Sequence, residues 1–195
     1  MPRAFFAIGL TSATTDALQD CRRACLDADP AWTREKWVSP ENLHMTLRFL
    51  GDIKEGTLHR YADVVRSALC GHPPYTLSID RVRIVPRSRS AAMIWAVPEA
   101  GADHTMQLAR SIEDAVVREG ATPETRRFSP HVTLCRSRSP RHLAPDAARA
   151  MDAALADVPA SRRSMSVHEV MLYTSTLTPD GPVYDRFAVM SLGVD

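Results

Sequence analysis

The sequence predicts a protein of mixed strands and helices that is built from two similar halves. Short apolar or alternating segments, typical of strands, are interleaved with longer segments whose apolar residues recur at helical spacing. The order also repeats. A strand opening at His44 is followed by a helix and a strand near 75, and one opening at His131 by a helix and a strand near 164. Both offsets are about thirty residues, the length of one supersecondary unit, so we expect the two histidine strands to be counterparts across a central groove.

The first half of the chain predicts five strands and two helices. The segment RAFFAIGL is continuously apolar, as in a central strand, and Thr11 or Ser12 can cap the helix that follows it. The segment YTLSIDRVRIV alternates apolar and polar side chains, as a strand with one solvated face does. The predicted strands are 3–10, 35–39, 43–50, 75–85 and 91–97, and the predicted helices are 12–28 and 54–70.

The second half predicts two helices and three strands. Gly120 ends the first helix, and the second is rich in alanine. In chain order we expect a helix over 103–119, a polar loop over 121–129, a strand over 131–135, another polar loop, a helix over 145–158, and closing strands over 164–174 and 183–192 joined by a turn at 179–182.

Length and composition describe an ordinary globular chain. The 195 residues fit one domain spanning 1–195, and hydrophobic residues make up 45% of them. A chain of this length buries roughly 70% of its unfolded surface, so it needs no metal or disulfide to fold. The 24 basic and 23 acidic residues leave a net charge of +1, which excludes a protein that coats nucleic acid through bulk charge. A small cleft for one phosphate remains compatible with this balance.

The cysteines and the apolar segments indicate the cellular compartment of the protein. The four cysteines form no CxxC pair and no zinc-binding pattern, and such a content suits a reducing cytoplasm. The opening apolar run is too short for a signal sequence, and no stretch approaches the ~18 apolar residues of a membrane span. We therefore expect a cytoplasmic protein that does not enter a membrane.

Two tetrads of the same form carry the chemistry: HMTL at 44–47 and HVTL at 131–134. Because side chains alternate across a strand, each tetrad places its histidine and its threonine on one face and two apolar residues on the other. One imidazole can accept a proton while the other donates one, since the usual pKa of histidine lies near neutrality. Two hydroxyls can bind the oxygens of a phosphate. Two imidazoles and two hydroxyls on one groove suit in-line attack of water on a strained cyclic phosphodiester.

Metal catalysis is the competing interpretation of these histidines. It requires carboxylates or a third histidine near the pair. Asp52 follows the first tetrad, but the second has no acidic residue after it until Asp146. We therefore expect no metal and no other cofactor.

The longer segments around the tetrads resemble a known family. PENLHMTLRFLGD at 40–52 and RFSPHVTLCR at 127–136 are similar to the two signature blocks of the two-histidine (2H) phosphoesterase superfamily. The resemblance is closest to its RNA 2′,3′-cyclic phosphodiesterase branch, whose members are also called 2′-5′ RNA ligases. RAFFAIGL at 3–10 and VMLYTSTLTPDGPVYDRFAVMSL at 170–192 resemble the family's first strand and C-terminal block, so the likeness covers nearly the whole chain.

The resemblance implies an α+β fold of two lobes, each with an antiparallel sheet and helices outside, and a groove between them. It implies metal-independent hydrolysis of a 2′,3′-cyclic phosphate to a 2′-phosphomonoester, with 2′-5′ ligation as the reverse reaction. On the family's pattern His44 is the acid that protonates the departing 3′ oxygen, and His131 is the base that activates water. Thr46 and Thr133 hold the phosphate oxygens. The residues alone give the pair and not this order, because the tetrads are nearly identical.

Four further residues are candidates for the site. Arg136 matches a basic residue of the family, but strict alternation from the second histidine points it away from the groove, so a bulge must intervene. Arg48 is in phase with the first tetrad and is a second candidate phosphate ligand. Phe5 offers a stacking face for a base or sugar, and Tyr184 is expected to line the groove.

The expected partners are RNA 3′ ends or nucleoside 2′,3′-cyclic phosphates, bound by a monomer. Two alternatives remain open. One keeps the chemistry and changes the substrate to a small cyclic nucleotide such as ADP-ribose cyclic phosphate. The other is a non-catalytic module that binds RNA ends.

Overall fold

A computed structural model describes residues 2–179 and 181–193 of the chain. The described residues form strands and α-helices connected by short loops and 3-10 turns. The strands are β1 (Arg3–Gly9), β2 (Lys36–Trp37), β3 (His44–Asp52), β4 (Tyr75–Val85), β5 (Ala91–Pro98), β6 (Val132–Arg141), β7 (Ser164–Val167), β8 (Glu169–Thr178) and β9 (Gly181–Ser191). The helices are α1 (Ser12–Ala28), α2 (Glu55–Leu69), α3 (Ala102–Arg118), α4 (Pro145–Asp157) and α5 (Ala160–Arg163).

The strands form two antiparallel sheets. The first has the order β3-β1-β8-β9 and the second the order β2-β6-β5-β4-β7. The two histidine strands occupy related places in the two sheets. Strand β3 pairs with β1, and β6 pairs with β5, so each lies next to an internal strand of its sheet. The predicted α+β class with two antiparallel sheets is confirmed, and β1 is an internal strand, as its continuous apolar run predicted.

The helices cross between the two sheets. Helix α1 follows β1 of the first sheet but packs against α4, which lies on β4 of the second sheet. Helix α3 follows β5 of the second sheet but packs against α2 and against β3 of the first. Each half of the chain therefore supplies one covering helix to the other lobe, which fixes the two sheets relative to each other around the groove.

Helix α1 forms where its capping residue and apolar spacing predict. The Thr11 side chain accepts a hydrogen bond from the backbone N–H of Thr14 at 3.2 Å, a cap that stabilises a helix by about 1 kcal/mol. Leu18, Cys21 and Cys25 lie on one face and are fully buried, so these two cysteines are core residues, as is Cys135 of β6.

Two strand predictions were wrong in extent. The segment predicted as one strand over 164–174 is divided at His168 into β7 and β8, which belong to different sheets. The His168 carbonyl accepts the backbone N–H of Leu192 at 2.7 Å and fixes this crossing. Apolar periodicity does not reveal the division because buried valines, Val167 and Val170, lie close to it on both sides.

Strand β6 continues through the segment predicted as a polar loop. Arg141 pairs with Ala91 of β5, and the Glu35 carboxylate accepts both the backbone N–H of Arg138 and the guanidinium of Arg141. These partners, distant in sequence, hold polar residues in extended conformation. Of the turn predicted at 179–182, Asp180 lies outside the described residues.

Each histidine strand carries a β-bulge at the leucine of its tetrad. Ala7 pairs with Thr46 and Phe6 with Arg48, so the register skips Leu47. In the second sheet Trp95 pairs with Thr133 and Ile94 with Cys135, so the register skips Leu134 in the same way. A bulge shifts the alternation by one residue. The residue three positions after each threonine, Phe49 or Arg136, therefore returns to the groove face.

No helix in the described ranges is long and apolar enough to cross a bilayer.

Candidate active site

A groove of about 990 Å³ lies between the two sheets, and both tetrads line it. His44 and Thr46 reach it from β3, and His131 and Thr133 from the start of β6. The structure thus brings together four residues that the sequence predicted as one site.

The two imidazoles are held by the same kind of backbone contact. Nδ1 of His44 lies 2.8 Å from the carbonyl oxygen of Asn42, and Nδ1 of His131 lies 2.8 Å from that of Ser129. A carbonyl oxygen only accepts hydrogen bonds, so Nδ1 is the protonated nitrogen of each neutral ring. This fixes Nε2 as the nitrogen that accepts or donates the exchangeable proton. In His44, Nε2 accepts a hydrogen bond from the Thr46 hydroxyl at 2.9 Å.

Each imidazole also lies against an aromatic ring. Phe5 stacks on His44 with ring centroids 4.8 Å apart, and Tyr184 meets His44 edge-on at 5.3 Å. Trp95 stacks on His131 at 3.8 Å with an angle of 22° between the planes. Together with the carbonyl contacts, these rings leave each imidazole one orientation.

The environment lowers the pKa of both histidines. Burial is the largest cause for His44 and for His131, and the positive charge of Arg136 acts in the same direction on both. The hydrogen bonds to Asn42 and Ser129 favour the protonated rings and oppose this effect. Both rings are therefore mainly neutral at pH 7 in the unliganded protein.

Arg136 lies on the groove because of the bulge at Leu134. Its charge reaches both histidines and also favours ionisation of Tyr184, whose pKa is raised by burial. Its guanidinium contacts the sulfur of Met93 at 3.2 Å. With strict alternation along β6, Arg136 would point away from the groove. The bulge at Leu134 shifts the alternation by one residue, so Arg136 faces the groove.

Arg48 is engaged with the protein itself. Its Nε donates to the carboxylate of Glu113 on α3, its Nη1 to the carbonyl of Phe49, and its Nη2 to the carbonyl of Thr122 at 2.6 Å. Glu113 also accepts the backbone N–H of Glu124 at 2.7 Å. The Arg48 side chain is 10% exposed. It therefore connects β3 to the loop that precedes the second tetrad, and this arrangement does not support the predicted phosphate contact.

Of the two aromatic candidates, Phe5 packs against the His44 ring and Tyr184 lines the groove. Phe5 is 3% exposed and stacks between His44 and Tyr173, which leaves it little surface to offer a base or sugar. Phe49, which the sequence did not single out, is 56% exposed on the groove wall.

Metal-binding side chains do not converge in the described ranges. Among residues 2–179 and 181–193, no group of three or more His, Cys, Asp or Glu side chains is arranged to hold a metal ion.

Comparison with known proteins places this geometry in a family. The family model described as "LigT like Phosphoesterase" matches the chain twice, over residues 8–95 and 96–184. The two matches together cover most of the chain, and each contains one tetrad.

The chain belongs to the LigT-like phosphoesterase family.

Individual members of the LigT-like family match over nearly the whole length. The chain is 36% identical over 193 residues to the RNA 2′,3′-cyclic phosphodiesterase of Methanothermobacter thermautotrophicus, covering 97% of this chain and 98% of that protein. The crystal structure of TT0787 of Thermus thermophilus matches with a TM-score of 0.77 at 25% identity, covering 99% of both chains. E. coli LigT complexed with 3′-AMP matches with a TM-score of 0.75 at 25% identity, covering 98% of this chain and 99% of that one. The resemblance found in the sequence is confirmed.

The groove of this LigT-like chain contains a residue and an ion pair that the sequence alone did not predict. Trp95 lies in the predicted strand 91–97, between the buried residues Ile94 and Ala96. The alternation of that strand could have placed Trp95 on the face opposite to its core. Nothing in the sequence could have paired Arg48 with Glu113, because their contact depends on α3 crossing to the first sheet.

Proposed function

We propose that this chain, as one bilobal domain, is an RNA 2′,3′-cyclic phosphodiesterase that hydrolyses the cyclic phosphate of an RNA end to a 2′-phosphomonoester without a metal ion. The observation that carries the proposal is the pair of imidazoles on one groove, each anchored through Nδ1 to a backbone carbonyl. This leaves two Nε2 atoms to exchange protons with a single substrate. The relatives that bear the name of this activity support it.

The reaction needs one proton removed and one proton added. His131 takes a proton from water as its oxygen attacks phosphorus, and the bond from phosphorus to the 3′ oxygen breaks. His44 gives its proton to that departing oxygen, and the phosphate remains on the 2′ oxygen. The protons balance, because each turnover leaves His131 protonated and His44 neutral, and exchange with solvent restores both.

Charge stabilisation comes from groups on the same groove. The Thr46 and Thr133 hydroxyls bind the non-bridging oxygens, and the guanidinium of Arg136 offsets the charge that develops on them. Arg48 is not assigned a phosphate contact, because three of its nitrogens already donate to protein acceptors.

The bound substrate also raises the lowered pKa of His44, the proposed acid. Burial and Arg136 disfavour the imidazolium form of His44 in the free protein. A cyclic phosphodiester carries one negative charge, and an anion beside the ring raises its pKa. The substrate therefore promotes the protonated state that its own hydrolysis requires. By microscopic reversibility the same site supports 2′-5′ ligation when the two RNA ends are held together.

Product analysis tests the proposal. The protein is incubated in excess EDTA with an oligonucleotide ending in a 2′,3′-cyclic phosphate, and the product is scored as 2′- or 3′-phosphate. We expect 2′-phosphate only, and loss of turnover by at least about 10³-fold in His44→Ala and in His131→Ala. His142→Ala is the matched control, because His142 is exposed and outside the groove lining. A 3′-phosphate product, or turnover that EDTA abolishes, overturns the proposal.

A substrate panel separates the two open alternatives. Oligonucleotide ends, nucleoside 2′,3′-cyclic phosphates and ADP-ribose cyclic phosphate are compared by kcat/KM. Strong preference for the small cyclic nucleotides overturns the RNA assignment and keeps the chemistry. Tight binding of RNA ends with no turnover of any substrate identifies a binding module instead.

A further inference from the structure

The face of the His131 ring is covered by the indole of Trp95. Their centroids are 3.8 Å apart and their planes differ by 22°. Trp95 lies on β5 directly opposite Thr133 of β6, so the indole is held beside the second tetrad by the strand ladder. It lines the groove and is half-buried.

The two histidines differ in the ring that supports them. His44 stacks on Phe5 at 4.8 Å, whereas His131 stacks on a tryptophan that is closer. The electron-rich face of indole attracts a cation more strongly than that of a phenyl ring. Tryptophan at position 95 therefore favours a positive charge on His131 more than phenylalanine at position 5 favours one on His44.

Trp95 also carries a polar group that the fold does not use. Its indole N–H is buried and has no hydrogen-bond acceptor among residues 2–179 and 181–193. A buried donor without a partner costs stability, and phenylalanine at this position would avoid that cost. The indole is therefore better explained by its contact with His131 than by packing alone.

We propose that Trp95 is a positioning residue for His131, fixing the plane of the imidazole and stabilising its protonated form. The Ser129 carbonyl holds Nδ1 at the ring edge, and the indole holds the ring face. The role of His131 as the base that becomes charged rests on the proposed function. The stacking contact and its effect on the charge of His131 do not.

The other charged groups around His131 act against its protonation. They are Arg136 on the same strand, Arg83 on β4, and His44 across the groove when it is protonated. The indole is a neutral group that favours the imidazolium in this surrounding. Replacing it with phenylalanine, which still covers the ring but attracts a cation less, should therefore lower the pKa of His131 further.

Titration of His131 by ¹⁵N NMR tests this without any substrate. We expect the pKa of His131 to fall by about half a unit in Trp95→Phe, because the ring stays covered while the cation–π attraction weakens. Trp95→Leu removes the attraction but also uncovers part of the ring, and the lost burial opposes the fall in pKa, so Trp95→Phe is the deciding variant. Trp37→Phe is the matched control. Trp37 lies on β2, and its indole N–H donates to the Trp32 carbonyl at 3.0 Å, so this variant should leave the titration unchanged.

Kinetics give the second readout. The limb of kcat/KM that reports His131 should move to lower pH by the same amount as the NMR pKa, with kcat about tenfold lower in Trp95→Leu. Trp95→Phe should keep most of the rate while the limb that reports His131 still shifts, a combination that a loss of packing alone does not explain.

An unchanged or raised His131 pKa in Trp95→Phe overturns the proposal, and this variant decides the matter if Trp95→Leu does not fold. A protein that hydrolyses no cyclic phosphate but shows the pKa shift would refute the proposed function and leave the positioning role standing.

Discussion

Nε2 of His44 accepts a hydrogen bond from the hydroxyl of Thr46, 2.9 Å away and two residues along the same strand. The contact occupies the nitrogen that, in the proposed mechanism, donates a proton to the leaving group. A substrate phosphate oxygen can replace it, because the hydroxyl is free to rotate toward the phosphate. We therefore expect Thr46 to hold His44 before binding and to hold the phosphate afterwards.

Removing the Thr46 hydroxyl tests this double role. We expect Thr46→Val, which keeps the side-chain shape, to lower kcat by on the order of 10–100-fold. Thr46→Ser should restore most of the rate, and Thr176→Val, an exposed threonine outside the groove, should have no effect. Steady-state kinetics with a 2′,3′-cyclic substrate measure these changes. Equal losses in the Val and Ser variants would show that shape matters and the hydroxyl does not.

The pH profile follows from the lowered pKa values of the two histidines. The active free enzyme has one ring protonated and the other neutral, and both pKa values lie below the usual 6.5. Raising the pH through the higher of the two removes the required proton, so kcat/KM should be maximal below pH 6.5 and fall above it. The bound anion raises both pKa values, so the profile of kcat should lie at higher pH. A kcat/KM that stays level to about pH 8 contradicts this account.

We expect Arg136 to make two separable contributions to the proposed reaction. Arg136→Ala removes the guanidinium assigned to the phosphate, and we expect kcat/KM to fall on the order of 10²-fold. The same change removes a positive charge that lowers the pKa of both His44 and His131. The basic limb of the profile should therefore move to higher pH although the rate is lower. A lower rate with an unmoved limb would place Arg136 too far from the imidazoles for the proposed arrangement.

The ion pair of Arg48 and Glu113 is expected to act on stability. Its side chains are 10% and 24% exposed, so Arg48→Ala leaves a largely buried carboxylate and should lower the free energy of unfolding by about 2 kcal/mol. The matched control is Arg66→Ala, whose pair with Asp63 is exposed on α2 and contributes less than about 0.5 kcal/mol. Urea unfolding measures both. Equal effects of the two substitutions would mean that Arg48 does not connect β3 to the loop before the second tetrad.

The sequence was most informative where the signal is local. The tetrads, the cap at Thr11 and the internal strand at 3–10 depend on neighbouring residues, and the structure has them where they were predicted. The repeat also followed from order along the chain, and it appears as the two family matches.

What the sequence could not provide depends on contacts between distant segments. The bulges at Leu47 and Leu134 appear only once each histidine strand is paired with its neighbour. They turn Arg136 toward the groove and leave Arg48 to bind Glu113, which reverses the preference that strict alternation suggested. The crossing at His168 likewise depends on hydrogen bonds to the C-terminal segment. Patterns within one strand contain none of this information.

The central claim is that the two imidazoles face one phosphate, and ¹⁵N NMR of the product complex tests it most directly. The protein is titrated with a nucleoside 2′-phosphate, and the Nε2 signals of His44 and His131 are followed over pH. We expect both signals to respond at the same ligand concentration and both pKa values to rise, because each nitrogen gains an anionic partner. A response from one histidine alone, or from neither while the ligand is bound, would contradict the account.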